Sequence, residues 1–80
     1  MEIKVLGSGC KNCKKLLENV HVACEALEVK ANILYVTDMM EIAKSGLMST
    51  PGLIINQKIV AYGKVLDVKE IKELIQSYAN

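Results

Sequence analysis

The alternation of apolar and polar residues along this 80-residue chain predicts an ordered series of strands and helices. Residues 2–6 are mostly apolar and predict a first strand, whereas residues 10 or 11 to 28 carry apolar side chains at the spacing of an amphipathic helix. Residues 32–36 are rich in β-branched and aromatic types and predict a second strand. Asp38 is then a candidate N-cap for a short second helix over residues 39–44.

The second half of the chain predicts a hairpin followed by a helix. Residues 53–55 and 58–62 are short apolar runs on either side of Asn56-Gln57, a turn that lacks the usual glycine. From Asp67 to residue 78 the apolar residues return to helical spacing, and Asp67 and Glu70 are placed as in a capping box. The predicted order is therefore strand, helix, strand, helix, strand, strand, helix.

This order of elements predicts an α/β fold in one domain that spans residues 1–80. A helix between two strands favours a right-handed crossover with the strands parallel, and the hairpin adds two antiparallel strands. The result is a four-stranded mixed sheet with three helices. Because functional groups in such open sheets collect at the carboxyl ends of the strands, the turn after the first strand is a candidate site.

Composition agrees with a small globular domain and argues against several partners. Apolar residues make up 51% of the chain, and ten basic residues, all lysines, nearly balance nine acidic ones. A net charge of +1 without arginine gives no support for nucleic-acid binding. The longest apolar runs have three or four residues, the N-terminus lacks a signal-peptide pattern, and about 20 apolar residues are needed to span a bilayer. We therefore expect a cytoplasmic monomer with no membrane or nucleic-acid partner.

Cys10 and Cys13 carry the clearest chemical signal. They flank Lys11-Asn12 at the point where the turn Gly7-Ser8-Gly9 passes into the first helix. At about 3.6 residues per turn the two positions lie about 60° apart around the helix axis, so the thiols can reach disulfide distance. Unpaired N–H groups and the helix dipole stabilise a thiolate in a first turn. The pair therefore predicts reversible dithiol chemistry.

Several other residues have a functional and a simpler interpretation. Lys11, Lys14 and Lys15 either lower the pKa of a nearby thiol or form a solvated face. Cys24 lies about 16 Å beyond Cys13 along the same helix, which is too far for a disulfide, so we expect it in the core. His21 has no partner at metal-binding spacing and is expected on the surface.

The sequence also gives expectations for three methionines and for bound metals or cofactors. Met39, Met40 and Met48 are expected to fill gaps in the core, with Met48 close enough to Pro51 to line a groove. Neither a resident metal nor a cofactor is predicted.

A metal-binding module is the main alternative to dithiol exchange. Small heavy-metal chaperones also place Cys-x-x-Cys between a first strand and a first helix, where two thiolates bind Cu(I) or Zn. In those proteins two strands follow the first helix and a strand usually ends the chain, and Ser8 stands where they have a methionine. Dithiol exchange is favoured, and soft-metal binding and a non-catalytic scaffold role stay open.

The whole pattern resembles the thioredoxin and glutaredoxin superfamily. Glycine-flanked Cys10-x-x-Cys13 at a helix start and Thr50-Pro51, 40 residues after Cys10 and just before a hairpin, carry the resemblance. At this length the chain is most similar to the small redox-active disulfide proteins of bacteria and archaea. The resemblance implies a thioredoxin-like fold, a cis bond between Thr50 and Pro51, and thiol-disulfide oxidoreductase activity.

The resemblance also implies a role for each of these residues. Cys10 would attack a substrate disulfide, and Cys13 would resolve the mixed disulfide. Pro51 would pack against the pair, and the backbone of Thr50 would pair with an extended substrate segment. The implied partners are a disulfide-containing protein and a reductase or small thiol that supplies electrons. Lys11-Asn12 departs from the dipeptides of the better-known relatives, so their redox potential is not carried over.

Overall fold

A computed structural model gives the fold and describes residues 1–7, 9, 11–47 and 49–79. Its elements agree with the predicted order, and their boundaries differ from the predicted ones by two residues or fewer. In chain order the elements are β1 (Glu2–Leu6), α1 (Lys11–Ala26), β2 (Asn32–Val36), α2 (Met39–Lys44), β3 (Gly52–Ile55), β4 (Lys58–Tyr62) and α3 (Val68–Ala79). Within this part of the chain, no helix is long and apolar enough to cross a bilayer.

The four strands form one mixed sheet in the order β2-β1-β3-β4. β1 is parallel to β2 and antiparallel to β3, and β3 is antiparallel to β4. The predicted four-stranded sheet with three helices is therefore confirmed. Leu6 is paired with Val36 on one side and with Gly52 on the other, so these three residues lie at the same end of the sheet.

The sheet separates two clusters of buried apolar side chains. Alternation along the central strands sends Ile3 and Val5 to one face and Leu6 to the other. α1 and α3 cover the first face and supply much of the larger cluster, which includes Leu16, Val20, Ala23, Ile71 and Ile75. α2 covers the opposite face through Ile42.

The short α2 packs differently from the prediction. Its N-cap is confirmed, because Oδ1 of Asp38 accepts a hydrogen bond of 2.9 Å from the N–H of Met40. The expectation that Met39 and Met40 fill the core is wrong, since they are 63% and 66% exposed. A helix of six residues presents little more than one side chain to the sheet, and here that side chain is Ile42.

Local hydrogen bonds fix the hairpin and the start of α3. Asn56 and Gln57 both have positive φ values, 50° and 71°, as the central residues of a type I′ hairpin require. Oδ1 of Asn56 also accepts a hydrogen bond of 3.0 Å from the N–H of Glu2. The predicted capping box is confirmed, because Asp67 Oδ1 accepts from the N–H of Glu70 at 2.8 Å and Glu70 Oε1 accepts from the N–H of Asp67 at 3.5 Å.

α1 ends two residues before the predicted boundary because the chain turns at Glu28. The N–H of Val29 donates to the carbonyl of Cys24 at 3.0 Å, and the N–H of Glu28 donates to the carbonyl of Glu25 at 3.2 Å. These two bonds form a Schellman motif. Glu28, with φ of 56°, occupies the left-handed position that glycine usually takes.

We expect Glu28→Gly to raise the free energy of unfolding by about 0.5–1 kcal/mol, because glycine adopts a positive φ without a Cβ penalty. Denaturant unfolding measures the change. Glu18→Gly is the matched control, since Glu18 is exposed within α1 and glycine there should lower the free energy of unfolding by about 1 kcal/mol. Equal losses of stability in the two variants would contradict this account of the helix end.

Asn19 is a buried polar residue that joins α1 to the segment before α3. Its side chain is 8% exposed, and its Nδ2 donates a hydrogen bond of 2.9 Å to the carbonyl of Leu66. Leu66 is itself buried, at 4% exposure. This bond therefore satisfies a carbonyl that has little access to water.

Asn19→Ala should lower the free energy of unfolding by about 1–3 kcal/mol, because it leaves the carbonyl of Leu66 buried without its partner. Asn12→Ala serves as the control, since Asn12 is exposed in the same helix and its removal should change stability by about 0.5 kcal/mol or less. Thermal and denaturant unfolding both report the difference. Similar stabilities for the two variants would show that the Asn19 bond contributes little.

Candidate functional site

Cys13 lies in the first turn of α1, beside the end of β1. Its side chain is fully buried, at 0% exposure. Gly7, directly after β1, is bonded to the neighbouring strand, because its N–H donates to the carbonyl of Val36 at 3.0 Å. The carboxyl ends of β1 and β2 and the start of α1 thus meet at Cys13.

Gly7 makes room for Cys13. A Cβ built on Gly7 would overlap Sγ of Cys13 and would lie only 2.8 Å from its Cβ. α1 can approach the end of β1 this closely because position 7 has no side chain. The sequence pattern predicts Gly7 only as part of the turn before the first helix and does not predict this contact. The sequence feature that indicates this contact is a glycine directly after an apolar strand and shortly before Cys13.

The segment before β3 forms the other side of the site. The peptide bond between Thr50 and Pro51 is cis, which confirms the expectation from the resemblance. Pro51 is buried and Thr50 is exposed. The carbonyl of Pro51 accepts a hydrogen bond of 2.9 Å from the N–H of Gly63, so the end of β4 holds this segment in place.

The strand register brings this segment to the end of the sheet where Cys13 lies. Leu6 is paired with Gly52, and Gly7 and Pro51 are the next residues beyond that pair on each strand. Gly7 contacts Cys13 directly. The structure therefore places Cys13 and Pro51 at the same end of the sheet.

Two residues of the predicted site lie outside the described residues. Cys10 was expected to be the attacking thiol, and Met48 was expected beside Pro51. Their placement stays a prediction from the sequence.

Positive charge surrounds the start of α1. Lys11, Lys14 and Lys15 are exposed, and the first turn of the helix contains no acidic residue. Among the described side chains the ion pair within 4 Å is that of Lys4 and Glu2, at 3.6 Å. Within the described residues, none of the three lysines of α1 forms an ion pair with a carboxylate.

The third cysteine lies away from Cys13, further along α1. Cys24 is a free thiol, 6% exposed, within the larger apolar cluster, so the expectation of a core residue is confirmed. Burial raises the pKa of the Cys24 thiol, because desolvation disfavours the thiolate. His21 is exposed, as expected. A buried thiol with a raised pKa is a poor nucleophile near neutral pH.

Metal-ligating side chains do not gather elsewhere in the described part of the chain. Across residues 1–7, 9, 11–47 and 49–79, no group of three or more His, Cys, Asp or Glu side chains is placed to hold an ion. A soft-metal site would therefore depend on Cys13 together with Cys10. Nothing in this geometry favours that alternative over dithiol exchange.

Comparison with known proteins points to one family. A family model described as a thioredoxin domain matches residues 1–76. A thioredoxin of Methanocaldococcus jannaschii is 43% identical over 76 residues, which are 95% of this chain and 87% of that protein. A thioredoxin of Methanothermobacter thermautotrophicus is 32% identical over 75 residues, covering 94% of this chain and 97% of that protein.

A solved structure agrees at the level of the fold. Thioredoxin 1 from the thermophilic eubacterium Thermosipho africanus matches with a TM-score of 0.65 at 17% identity, covering 99% of this chain and 94% of that one. The fold is thus that of a thioredoxin-like α/β protein. The chain belongs to the thioredoxin domain family.

Gly7→Ala should lower the free energy of unfolding of the reduced protein by about 1–3 kcal/mol, because the new methyl group overpacks against Cys13. A double-mutant cycle tests the cause. In a Cys13→Ala background the same substitution should cost less, since the overlap with Sγ is gone. Equal costs in both backgrounds would show that the cost of a side chain at position 7 does not come from overlap with Sγ of Cys13.

Proposed function

We propose that the protein is a thiol-disulfide oxidoreductase that acts by dithiol exchange through Cys10 and Cys13. The observation that supports it best is the buried Cys13 at the start of α1, in a chain that matches the thioredoxin domain over residues 1–76. The two archaeal relatives of the chain are both named thioredoxin. The Cys-x-x-Cys spacing supplies the second thiol that exchange requires.

In the first step the thiolate of Cys10 attacks one sulfur of the substrate disulfide. A mixed disulfide forms, and the other substrate sulfur leaves as a thiolate that takes up a proton. In the second step the thiolate of Cys13 attacks the sulfur of Cys10. The Cys10–Cys13 disulfide forms and the second substrate sulfur leaves. The substrate gains two electrons and two protons, and the protein dithiol loses them.

The burial of Cys13 supports this division of roles. A side chain at 0% exposure cannot meet a disulfide in bulk solvent, but it can attack a sulfur that is already bound to the neighbouring cysteine. In the sequence Cys10 precedes α1, whereas Cys13 lies within its first turn. Cys10 is therefore the proposed attacking thiol, and Cys13 is the proposed resolving thiol.

Thr50 and Pro51 are the proposed substrate-binding residues. Thr50 is exposed beside the buried Pro51, at the end of the sheet where Cys13 also lies. An extended segment of the substrate would form backbone hydrogen bonds with Thr50, in the manner of an added strand. Pro51 has no N–H, and its carbonyl is already bonded to Gly63, so it would contribute contact surface.

The proposed partners follow from the two steps of the exchange reaction. A disulfide-containing protein is the substrate, and a reductase or small thiol returns the pair to the dithiol state after each cycle. We propose that this cycle runs in a monomer in the cytoplasm, where thiols are kept reduced.

Trapping of the mixed disulfide tests the proposal. The wild-type protein should reduce insulin in the presence of dithiothreitol, and Cys13→Ser should accumulate a mixed disulfide that mass spectrometry detects. Cys10→Ser should abolish both reactions. Cys24→Ala is the control and should retain reduction of insulin, since Cys24 lies in the core.

Two results would contradict this mechanism. A wild-type protein that reduces no disulfide and loses no pair of thiols on oxidation would exclude dithiol exchange, and stoichiometric Cu(I) or Zn binding would then favour the metal alternative. Mixed disulfides that accumulate equally in Cys10→Ser and Cys13→Ser would contradict the assigned roles. The redox potential of the pair, measured against glutathione, would give the direction of electron flow.

A further inference from the structure

The start of α1 carries a patch of positive charge that has no part in the exchange steps described above. Lys11, Lys14 and Lys15 are all exposed, and we call them the lysine patch. Residues three and four apart are neighbours on a helix surface, so Lys11 lies beside both of the others. The nearest acidic residue along the helix is Glu18, which follows the patch.

The charges of α1 are opposed to its helix dipole. The helix has no acidic residue in its first turn and no basic residue in its last turn, and Glu25 lies near its carboxyl end. Acidic side chains at the start of a helix and basic ones at its end stabilise it, so the observed order is unfavourable. α2 has the favourable order, with Glu41 in its first turn and Lys44 in its last. The patch is therefore not explained by helix stability.

The patch directly follows the proposed attacking cysteine in the sequence. Lys11 is bonded to Cys10, and consecutive Cα atoms lie about 3.8 Å apart. The Debye length at physiological ionic strength is about 8 Å, so a charged group bound at Cys10 would experience these lysines with limited screening. The net charge of the whole chain is only +1, which makes the patch a local feature.

We propose that the lysine patch selects disulfides that carry carboxylates close to the reactive sulfur. This inference rests on the proposed dithiol exchange and adds the class of substrate. Attraction between the patch and a carboxylate raises the concentration of anionic disulfides at the site and speeds the first attack. A small anionic disulfide and a cystine flanked by Asp or Glu in a protein share this chemistry.

Small disulfides of opposite charge provide the first test. The second-order rate constant for oxidation of the reduced protein is measured with oxidised glutathione, which is anionic, with cystamine, which is cationic, and with neutral bis(2-hydroxyethyl) disulfide. The ratio of the glutathione rate to the cystamine rate should be high for the wild-type protein. It should fall about tenfold or more in Lys11→Glu/Lys14→Glu, because the sign of the local field is reversed.

The control variant changes the net charge by the same amount at the other end of the sheet. Lys30→Glu/Lys58→Glu alters two exposed lysines, one just before β2 and one at the start of β4. Its ratio should stay within about twofold of the wild-type ratio, because screening weakens interactions beyond a Debye length. The neutral disulfide corrects for any change in thiol reactivity, and 1 M salt should reduce the preference of the wild-type protein.

Cystine peptides distinguish the source of the carboxylates. One peptide has Asp and Glu beside the disulfide and the other has Lys at the same positions. A preference for the acidic peptide supports a protein substrate, and a preference confined to glutathione supports a small anionic disulfide.

The inference is overturned if both double variants give the wild-type ratio, or the same altered ratio, while the neutral disulfide is still reduced. That result would leave the proposed exchange reaction intact. Failure to reduce insulin as well as the three small disulfides would instead overturn the proposed function.

Discussion

The close contact between Gly7 and Cys13 is the constraint on which the site depends. α1 must pack Leu16 and Val20 against the sheet, and its first turn must also reach the end of β1. Both conditions hold together because the backbone at Gly7 leaves space for Cys13. The hydrogen bond from the N–H of Gly7 to the carbonyl of Val36 in β2 then holds Gly7 from the other side.

The interactions that hold α1 in place are separate from the charges at its start. Its stability comes from an apolar face and from the bond between Asn19 and the carbonyl of Leu66. The lysines at its first turns are opposed to the helix dipole and contribute nothing favourable through it. Because packing carries the stability of this helix, its first turn is available for the chemistry and recognition that we propose.

Local sequence patterns were sufficient for the order of the elements and for the capping box at Asp67. They missed features that depend on residues distant in sequence. Gly7 gains its importance from contact with another element, and the burial of Asn19 depends on the segment before α3. Glu28 ends α1 although it is not a usual stop residue, and Met39 is exposed because α2 is too short to bury it.

An odd number of thiols usually leaves a chain open to covalent linkage with a second copy of itself. Cys24 avoids this outcome, because its side chain is 6% exposed and burial raises the pKa of its thiol. The third sulfur thus behaves as a packing group rather than as a reactive one. In the proposed dithiol cycle, we therefore expect no mispaired disulfide isomers that involve this sulfur.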